Sequence, residues 1–313
     1  MQYNAKDFVC AISLIFFLYL QHGPYVECTC ALSQRSTESF RDLMVGRCLH
    51  YQTVFNPEPF CSEPKNCTQL WELFLQGLAY QAPCNTSQDG FRPFLDAAHH
   101  TTPRDKHLFW SGVYEFVSRY TYDGQKLTAI DDTLAGYLAD NLQFCGSTTS
   151  TDGNEANVTS CPRCSQSAYS AFWSIASIEY AREAKGAIKV MLNASRSPAF
   201  RESSYFTTKE LPQLYHPNVT SAHVMLVHRL GQTPKENCLS PSVKNLTTIL
   251  TSRGIHTTCE DQPRDVVLLQ CADFPESTAC RDLSFTSSGS AKQRGLVVAN
   301  VVLAFTSVIL SLM

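Results

Sequence analysis

The chain has 313 residues and a formal net charge of −3. Its charges form no basic block, which excludes the electrostatic footprint of a nucleic-acid-binding protein. Its 14 cysteines exclude a protein kept in a reducing compartment, because so many thiols are typical of disulfide-bonded secreted chains.

The N-terminal segment, MQYNAKDFVCAISLIFFLYLQHG, predicts a secretory signal peptide over residues 1–27. Lys6 precedes an apolar run from Phe8 to Leu20, which is shorter than the roughly 20 residues that a membrane-spanning helix needs. A type II signal anchor remains the alternative, because Asp7 weakens the basic region that opens a signal peptide.

Helical periodicity dominates the segment from about residue 37 to 185. Apolar residues recur at helical intervals in TQLWELFLQGLAY, DDTLAGYLADNLQFC and SAFWSIASIEYAREA. Asp131 and Asp132 are expected to open the second of these helices, with Asp140 further along it. Acids at a helix N-terminus are usually caps, so a structural role for this pair stays open.

Over about residues 186–284 the helical spacing of apolar residues gives way to short β-branched and aliphatic runs. AIKVMLN (187–193), AHVMLVHRL (222–230) and DVVLLQC (265–271) read as strands, and SPSVKNLTTILTSRGI reads as a helix that ends at Gly254. This order predicts a small parallel sheet with crossover helices. The predicted fold is therefore α/β, of the α+β two-lobe kind: a mainly helical lobe, then a lobe with a small parallel sheet flanked by helices.

The C-terminal segment has the pattern of a GPI-anchor signal. FTSSG supplies small residues, SAKQR a polar spacer and GLVVANVVLAFTSVILSLM an apolar tail. Attachment is expected at Ser287 or Ser288, with an ectodomain over 28–288 and a propeptide, 289–313, that is removed. A tail-inserted helix is disfavoured because no basic residue follows Met313.

The cysteines and sequons support secretion. Without Cys10, in the signal segment, 13 cysteines remain, so at least one is free or pairs with another chain. Six Asn-x-Ser/Thr sequons are candidate glycosylation sites: Asn66, Asn85, Asn157, Asn193, Asn218 and Asn245.

Several common catalytic patterns are absent from the sequence. It has no glycine-rich phosphate loop, no HExxH and no GxSxG. Cys161-Pro-Arg-Cys164 is a CxxC motif without a second CxxC to complete a zinc site, so disulfides are favoured over zinc. His99-His100 has no further residues at the spacing of metal ligands. We therefore expect no metal site.

The remaining candidates are Trp110 in HLFWSG, Trp173 in AFWSIAS and Glu210 in ESSYFTTKEL. Taken singly, each has a structural reading: the tryptophans as core residues and Glu210 as a solvated surface charge. The residues alone leave these readings open.

A set of motifs resolves the choice by resemblance. TAIDDTLAGYLADNLQFCG, TSCP, SAFWSIAS, IKVMLNASRS and DVVLLQCAD occur in this order over about Phe40 to Arg281. The chain thereby resembles the ADP-ribosyl cyclase / cyclic ADP-ribose hydrolase family of NAD glycohydrolases, and TTPRDKHLFW and the tail resemble its GPI-anchored branch. The resemblance implies cleavage of the nicotinamide–ribosyl bond of NAD, which is substrate, without a cofactor. The products would be nicotinamide with ADP-ribose, cyclic ADP-ribose or both.

The resemblance also implies roles for individual residues. Glu210 lies 37 residues after Trp173, the interval between the family's FW-motif tryptophan and its catalytic glutamate. Trp110 and Trp173 match the pocket tryptophans. Gly112 stands where some relatives carry an arginine near the phosphates, which implies a lower substrate affinity. The other implied substrate-binding residues are Asp131, Asp132, Asp140, Ser177, Tyr205 and Phe206.

The family's disulfide framework implies five bridges and leaves Cys28, Cys30 and Cys61 over. One of the first two is expected to pair with Cys61. The residues Arg104 and Lys185 replace both partners of a further bridge found in some relatives. The implied bridges are Cys48–Cys67, Cys84–Cys164, Cys145–Cys161, Cys238–Cys259 and Cys271–Cys280.

Two other functions remain open at this stage. One is a GPI-anchored receptor or adhesion protein on the same fold with weak or no catalysis. The other is an ordinary glycosidase that uses Asp131 or Asp132 with Glu210. Expected partners are NAD and related dinucleotides, the outer leaflet of the plasma membrane through the anchor, and a second copy in a homodimer.

Overall fold

The computed structural model describes residues 37, 39–125, 127–146, 161 and 164–281. These residues belong to one compact unit. No helix among them is both long and apolar enough to cross a membrane. Several predictions fall on residues outside the described ranges: the signal peptide, Cys28, Cys30, Asn157, and the GPI segment with Ser287 and Ser288.

Eight α-helices occur in the described residues. Cys67–Gln76 shows how they form: Asn66 accepts hydrogen bonds from the backbone N–H groups of Thr68 and Gln69, both at 3.1 Å, and Leu70 and Phe74 are buried one turn apart. The helices are α1 (Phe40–His50), α2 (Cys67–Gln76), α3 (Arg92–Ala98), α4 (Tyr114–Arg119), α5 (Leu134–Ala139), α6 (Ala168–Arg182), α7 (Pro241–Ser252) and α8 (Arg264–Asp273).

Four parallel strands form one sheet in the order β1–β2–β3–β4. Helices cover both faces, so the central strands are apolar almost throughout, as parallel strands usually are. Aromatic and aliphatic side chains of α2, α3, α6 and α7 form the larger core on one face, and α4 and α8 cover the other. The strands are β1 (Leu108–Ser111), β2 (Gly186–Asn193), β3 (Val219–Val227) and β4 (His256–Asp261).

The small parallel sheet was predicted correctly, but one of the three predicted strands is wrong, and two of the four observed strands, β1 and β4, were not predicted. DVVLLQC, residues 265–271, lies in helix α8, and the fourth strand is the polar segment His256–Asp261. A short apolar run does not distinguish a strand from a buried helix. Here Val266 and Gln270 are buried one turn apart in the helix, whereas the edge strand β4 is largely exposed and needs few apolar residues.

All five implied disulfides are present: Cys48–Cys67, Cys84–Cys164, Cys145–Cys161, Cys238–Cys259 and Cys271–Cys280. Cys61 is exposed and forms no disulfide with any described residue. Its predicted pairing with Cys28 or Cys30 involves residues outside the described ranges, and stays a prediction.

Candidate active site

A cavity of about 510 Å³ opens where strand β1 ends. Ligands of parallel sheets commonly bind beyond the carboxyl ends of the strands, and this cavity has that position. Eight of the nine predicted catalytic and substrate-binding residues line it: Trp110, Asp131, Asp140, Trp173, Ser177, Tyr205, Phe206 and Glu210.

Glu210 is a buried acid at the cavity wall. It ends a single π-helical turn, Phe206–Glu210, and its exposed fraction is only 5%. Burial raises the pKa of Glu210 to about 8, a hydrogen bond from Ser177 opposes the rise, and the charge of Asp131 adds to it. The alternative of a solvated surface charge is therefore wrong. An acid held this way is unusual outside functional sites.

Asp131 is a second buried acid in the same cavity. Burial, then the charges of Asp140 and Asp132, raise the pKa of Asp131 to about 8, while a hydrogen bond from Trp110 lowers it. Oδ2 of Asp131 is buried and has no hydrogen-bond partner among the described residues. A carboxylate oxygen left unpaired beside a cavity can accept a hydrogen bond from a ligand.

Asp132 does not line the cavity. Its Oδ2 accepts a hydrogen bond of 2.8 Å from the backbone N–H of Ala129, and burial raises the pKa of Asp132 to about 6. The predicted helix start at Asp131 is also wrong, because Ile130–Asp132 is a 3-10 turn and Thr133 caps α5. Within the described structure, Asp132 fixes the turn that presents Asp131.

Asp140 lies just after α5 and connects two walls of the cavity. Its Oδ2 accepts hydrogen bonds from the Tyr114 hydroxyl at 2.7 Å and from Asn141 Nδ2 at 3.0 Å. Arg47 donates to the backbone carbonyl of Asp140 at 2.5 Å. The carboxylate is therefore held in place before any ligand arrives.

The two tryptophans present aromatic surface to the cavity from different elements. Trp110 is half-buried on β1, with its ring centroid 5.8 Å from that of Tyr114. Trp173, on α6, is 8% exposed and packs edge-on against Phe172 at 5.1 Å. The core-packing alternative thus holds in part for Trp173, whose ring belongs to the core and also lines the cavity.

Sequence reasoning missed a group of cavity residues. Nothing in composition or spacing marks them, because they come from β1, several helices and turns and the segment after β2, and become neighbours only in the folded chain. Two are arginines, which place positive charge in a cavity that also contains three acids. The missed residues are Ser111, Tyr114, Ile130, Asn141, Tyr169, Arg196, Arg201, Ser203 and Ser204.

The buried acid gives a prediction for stability. Glu210 has an ordinary pKa of 4.5 in an unfolded chain and about 8 in the folded protein, so ionisation favours unfolding between these values. The ionisation of Glu210 alone should therefore lower the free energy of unfolding of the wild type by about 1.4 kcal/mol per pH unit between these two pKa values. Glutamine cannot ionise, so the melting temperature of Glu210→Gln should exceed that of wild type increasingly from pH 5 to pH 8. Calorimetry that finds the same difference at both pH values would contradict this prediction.

Comparison with known proteins places the chain in a family. The family model described as ADP-ribosyl cyclase matches residues 37–280. The chain is 32% identical to ADP-ribosyl cyclase/cyclic ADP-ribose hydrolase 1 of Oryctolagus cuniculus, over 79% of this chain and 83% of that protein. It is similar to the crystal structure of Aplysia cyclase with substrate NGD and product cGDPR, at TM-score 0.70 and 30% identity, covering 79% of this chain and 98% of that one. It is also similar to porcine CD38 with a covalent intermediate, at TM-score 0.68 and 31% identity, covering 74% and 98%.

Proposed function

Because the chain belongs to the ADP-ribosyl cyclase family, we propose that its cavity cleaves the nicotinamide–ribosyl bond of NAD. The products are nicotinamide together with ADP-ribose, cyclic ADP-ribose or both. The observation that carries the proposal is the convergence of buried Glu210, Asp131, Trp110 and Trp173 on one cavity, within a chain that the family model matches over residues 37–280.

The role of Glu210 follows from the charge changes in this reaction. Nicotinamide is cationic in NAD and leaves as a neutral molecule, so its departure needs no general acid, unlike the leaving oxygen in ordinary glycoside hydrolysis. The ribose then carries oxocarbenium-like positive charge. A carboxylate held in a poorly hydrated cavity stabilises that charge and accepts hydrogen bonds from the ribose hydroxyls.

Substrate binding would itself ionise the acid. In the empty cavity burial raises the pKa of Glu210 to about 8, so at neutral pH the neutral form predominates. The pyridinium cation of NAD, placed within a few ångströms, favours the charged form. Glu210 would thus become the carboxylate that the reaction needs as the substrate enters.

The rest of the cavity would orient the substrate and exclude water. Trp110 and Trp173 offer flat faces for the nicotinamide and purine rings. The unpaired Oδ2 of Asp131 would accept a hydrogen bond from the carboxamide. No metal and no cofactor takes part in the reaction that we propose.

Tyr205 is proposed to shift the product ratio. It is 39% exposed and lines the cavity, and the family resemblance places an aromatic residue here in cyclase-leaning relatives. Removing the ring should admit water to the intermediate, so Tyr205→Gly should lower the ratio of cyclic ADP-ribose to ADP-ribose severalfold. Chromatography of the products tests this, with Tyr205→Phe as the matched variant that keeps the ring. An unchanged ratio in Tyr205→Gly would refute the role.

We further propose that the protein is GPI-anchored on the extracellular face of the plasma membrane and forms homodimers. Five disulfides support an oxidising compartment, and the sequence of the tail and the odd cysteine number support the anchor and the dimer. Intact cells that express the full chain should release nicotinamide from NAD added to the medium. The activity should pass into solution after treatment with a phosphatidylinositol-specific phospholipase. Activity found only after lysis would contradict this location.

A further inference from the structure

The guanidinium of Arg196 fills the space beside Gly112 at the cavity wall. A Cβ atom at position 112 would lie 2.7 Å from Cζ of Arg196, much closer than van der Waals contact. Gly112 also has φ of +73°, a conformation that disfavours any other residue. Glycine at position 112 therefore leaves room for the Arg196 guanidinium, and a larger residue there would push the guanidinium away from this place.

This guanidinium has no ion-pair or side-chain hydrogen-bond partner among the described residues. Arg201, which is exposed, also lines the cavity and also lacks such a partner there. Arginine donates up to five hydrogen bonds in a planar fork that matches phosphate oxygens. Two such guanidinium groups lining one cavity are suited to an anionic ligand group.

The backbone that carries Arg196 is held on both sides. Asn193 Nδ2 donates to the carbonyl of Gly112 at 2.8 Å, and Asn193 Oδ1 accepts from the N–H of Ser195 at 2.8 Å. Glu236 accepts from the N–H of Ala199 at 2.8 Å, and Lys235 N–H donates to the carbonyl of Ala194 at 2.7 Å. The bond from Asn193 to Gly112 joins the loop after β2 to the loop after β1, and the bonds of Lys235 and Glu236 join it to the segment after β3. The backbone on both sides of Arg196 is therefore held before a ligand binds.

We infer that Arg196, with Arg201 outside it, binds the diphosphate of the dinucleotide substrate. This inference rests on the proposed function. Arg196 would supply the positive charge that glycine at position 112 lacks. The cavity is thus lined by both carboxyl groups and guanidinium groups. This combination matches NAD, in which a cationic nicotinamide ribose is joined to an anionic diphosphate. The lower affinity expected from glycine at position 112 is thereby offset.

The test compares the purified full chain with Arg196→Gln, and with Arg41→Gln as a control of equal charge at an exposed site outside the cavity. Losing a hydrogen bond to a charged group typically changes affinity by about tenfold or more. Arg196→Gln should therefore raise KM for NAD about tenfold or more and leave kcat within about twofold. The calorimetric Kd for inorganic diphosphate should rise similarly. Arg201→Gln should act more weakly, by about two- to threefold, because its side chain is exposed.

Inhibition by nicotinamide, which carries no phosphate, separates diphosphate binding from a general structural effect. Its inhibition constant should be the same for wild type and Arg196→Gln. An equal rise for nicotinamide would show that Arg196 only maintains the fold, and an unchanged Kd for diphosphate would also overturn the inference. If wild type cleaves no NAD, the proposed function fails, but the diphosphate titration still tests the binding site.

Discussion

Glu210→Gln is expected to lower kcat for nicotinamide release from NAD by at least about 10²–10³-fold. The variant keeps the size of the side chain and its place in the turn Phe206–Glu210, but it has no negative charge to offer the oxocarbenium-like ribose. Since the ring stacking of NAD does not involve this group, KM should change much less than kcat. Steady-state kinetics on NAD, with nicotinamide measured by chromatography, gives both constants.

Glu202→Gln is the matched control for this prediction. Glu202 lies eight residues earlier, is exposed and does not line the cavity, so the same chemical change there should leave both constants within about twofold. Near-wild-type kcat in Glu210→Gln would mean that another group stabilises the developing charge. Asp131 would then be the first candidate, because it is the other strongly buried acid of the cavity.

Trp110→Ala is expected to lower kcat/KM by about 10²-fold or more, and Trp110→Phe by clearly less. The indole contributes a stacking face, which is worth about 1–3 kcal/mol per base. It also donates the hydrogen bond that lowers the pKa of Asp131. Phenylalanine keeps a stacking face and loses only the N–H, so the difference between the two variants separates the two contributions.

Trp71→Phe provides the control for a tryptophan that serves only the core. Trp71 is 3% exposed and packs edge-on against Phe40 at 5.5 Å, away from the cavity. It should lower the melting temperature and leave KM unchanged. Equal kinetic losses in Trp110→Phe and Trp110→Ala would contradict a stacking role and indicate that only the hydrogen bond to Asp131 matters.

Much of the fold could be predicted from the sequence because local patterns and the final packing agree. Helices α2 and α6 were predicted from apolar spacing, and most of the spaced residues are buried, whereas α7 was predicted from its Ser-Pro start and its stop at Gly254. Strands β2 and β3 were predicted from apolar runs that the sheet buries on both faces. The five disulfides came from family resemblance, since cysteine positions alone do not determine their pairing.

The errors and omissions occurred where tertiary context overrides local pattern. β4 is polar because it lies at the sheet edge, and DVVLLQC packs as a helix over the sheet although its apolar run indicated a strand. Asp132 is the neighbour of Asp131 in the sequence, yet its carboxylate accepts from the N–H of Ala129 and does not line the cavity. The phosphate-binding role inferred for Arg196 depends on its contact with Gly112, 84 positions earlier in the chain, which no local pattern reveals.

The most direct test of the account is to incubate purified residues 31–286, secreted from eukaryotic cells, with NAD and to separate the products by chromatography. If the cavity cleaves NAD, nicotinamide should be released in an amount equal to ADP-ribose and cyclic ADP-ribose together. A folded, disulfide-bonded protein that releases no nicotinamide would contradict it. The cavity would then mark only a shared fold, and a receptor or adhesion role would replace catalysis as the working hypothesis.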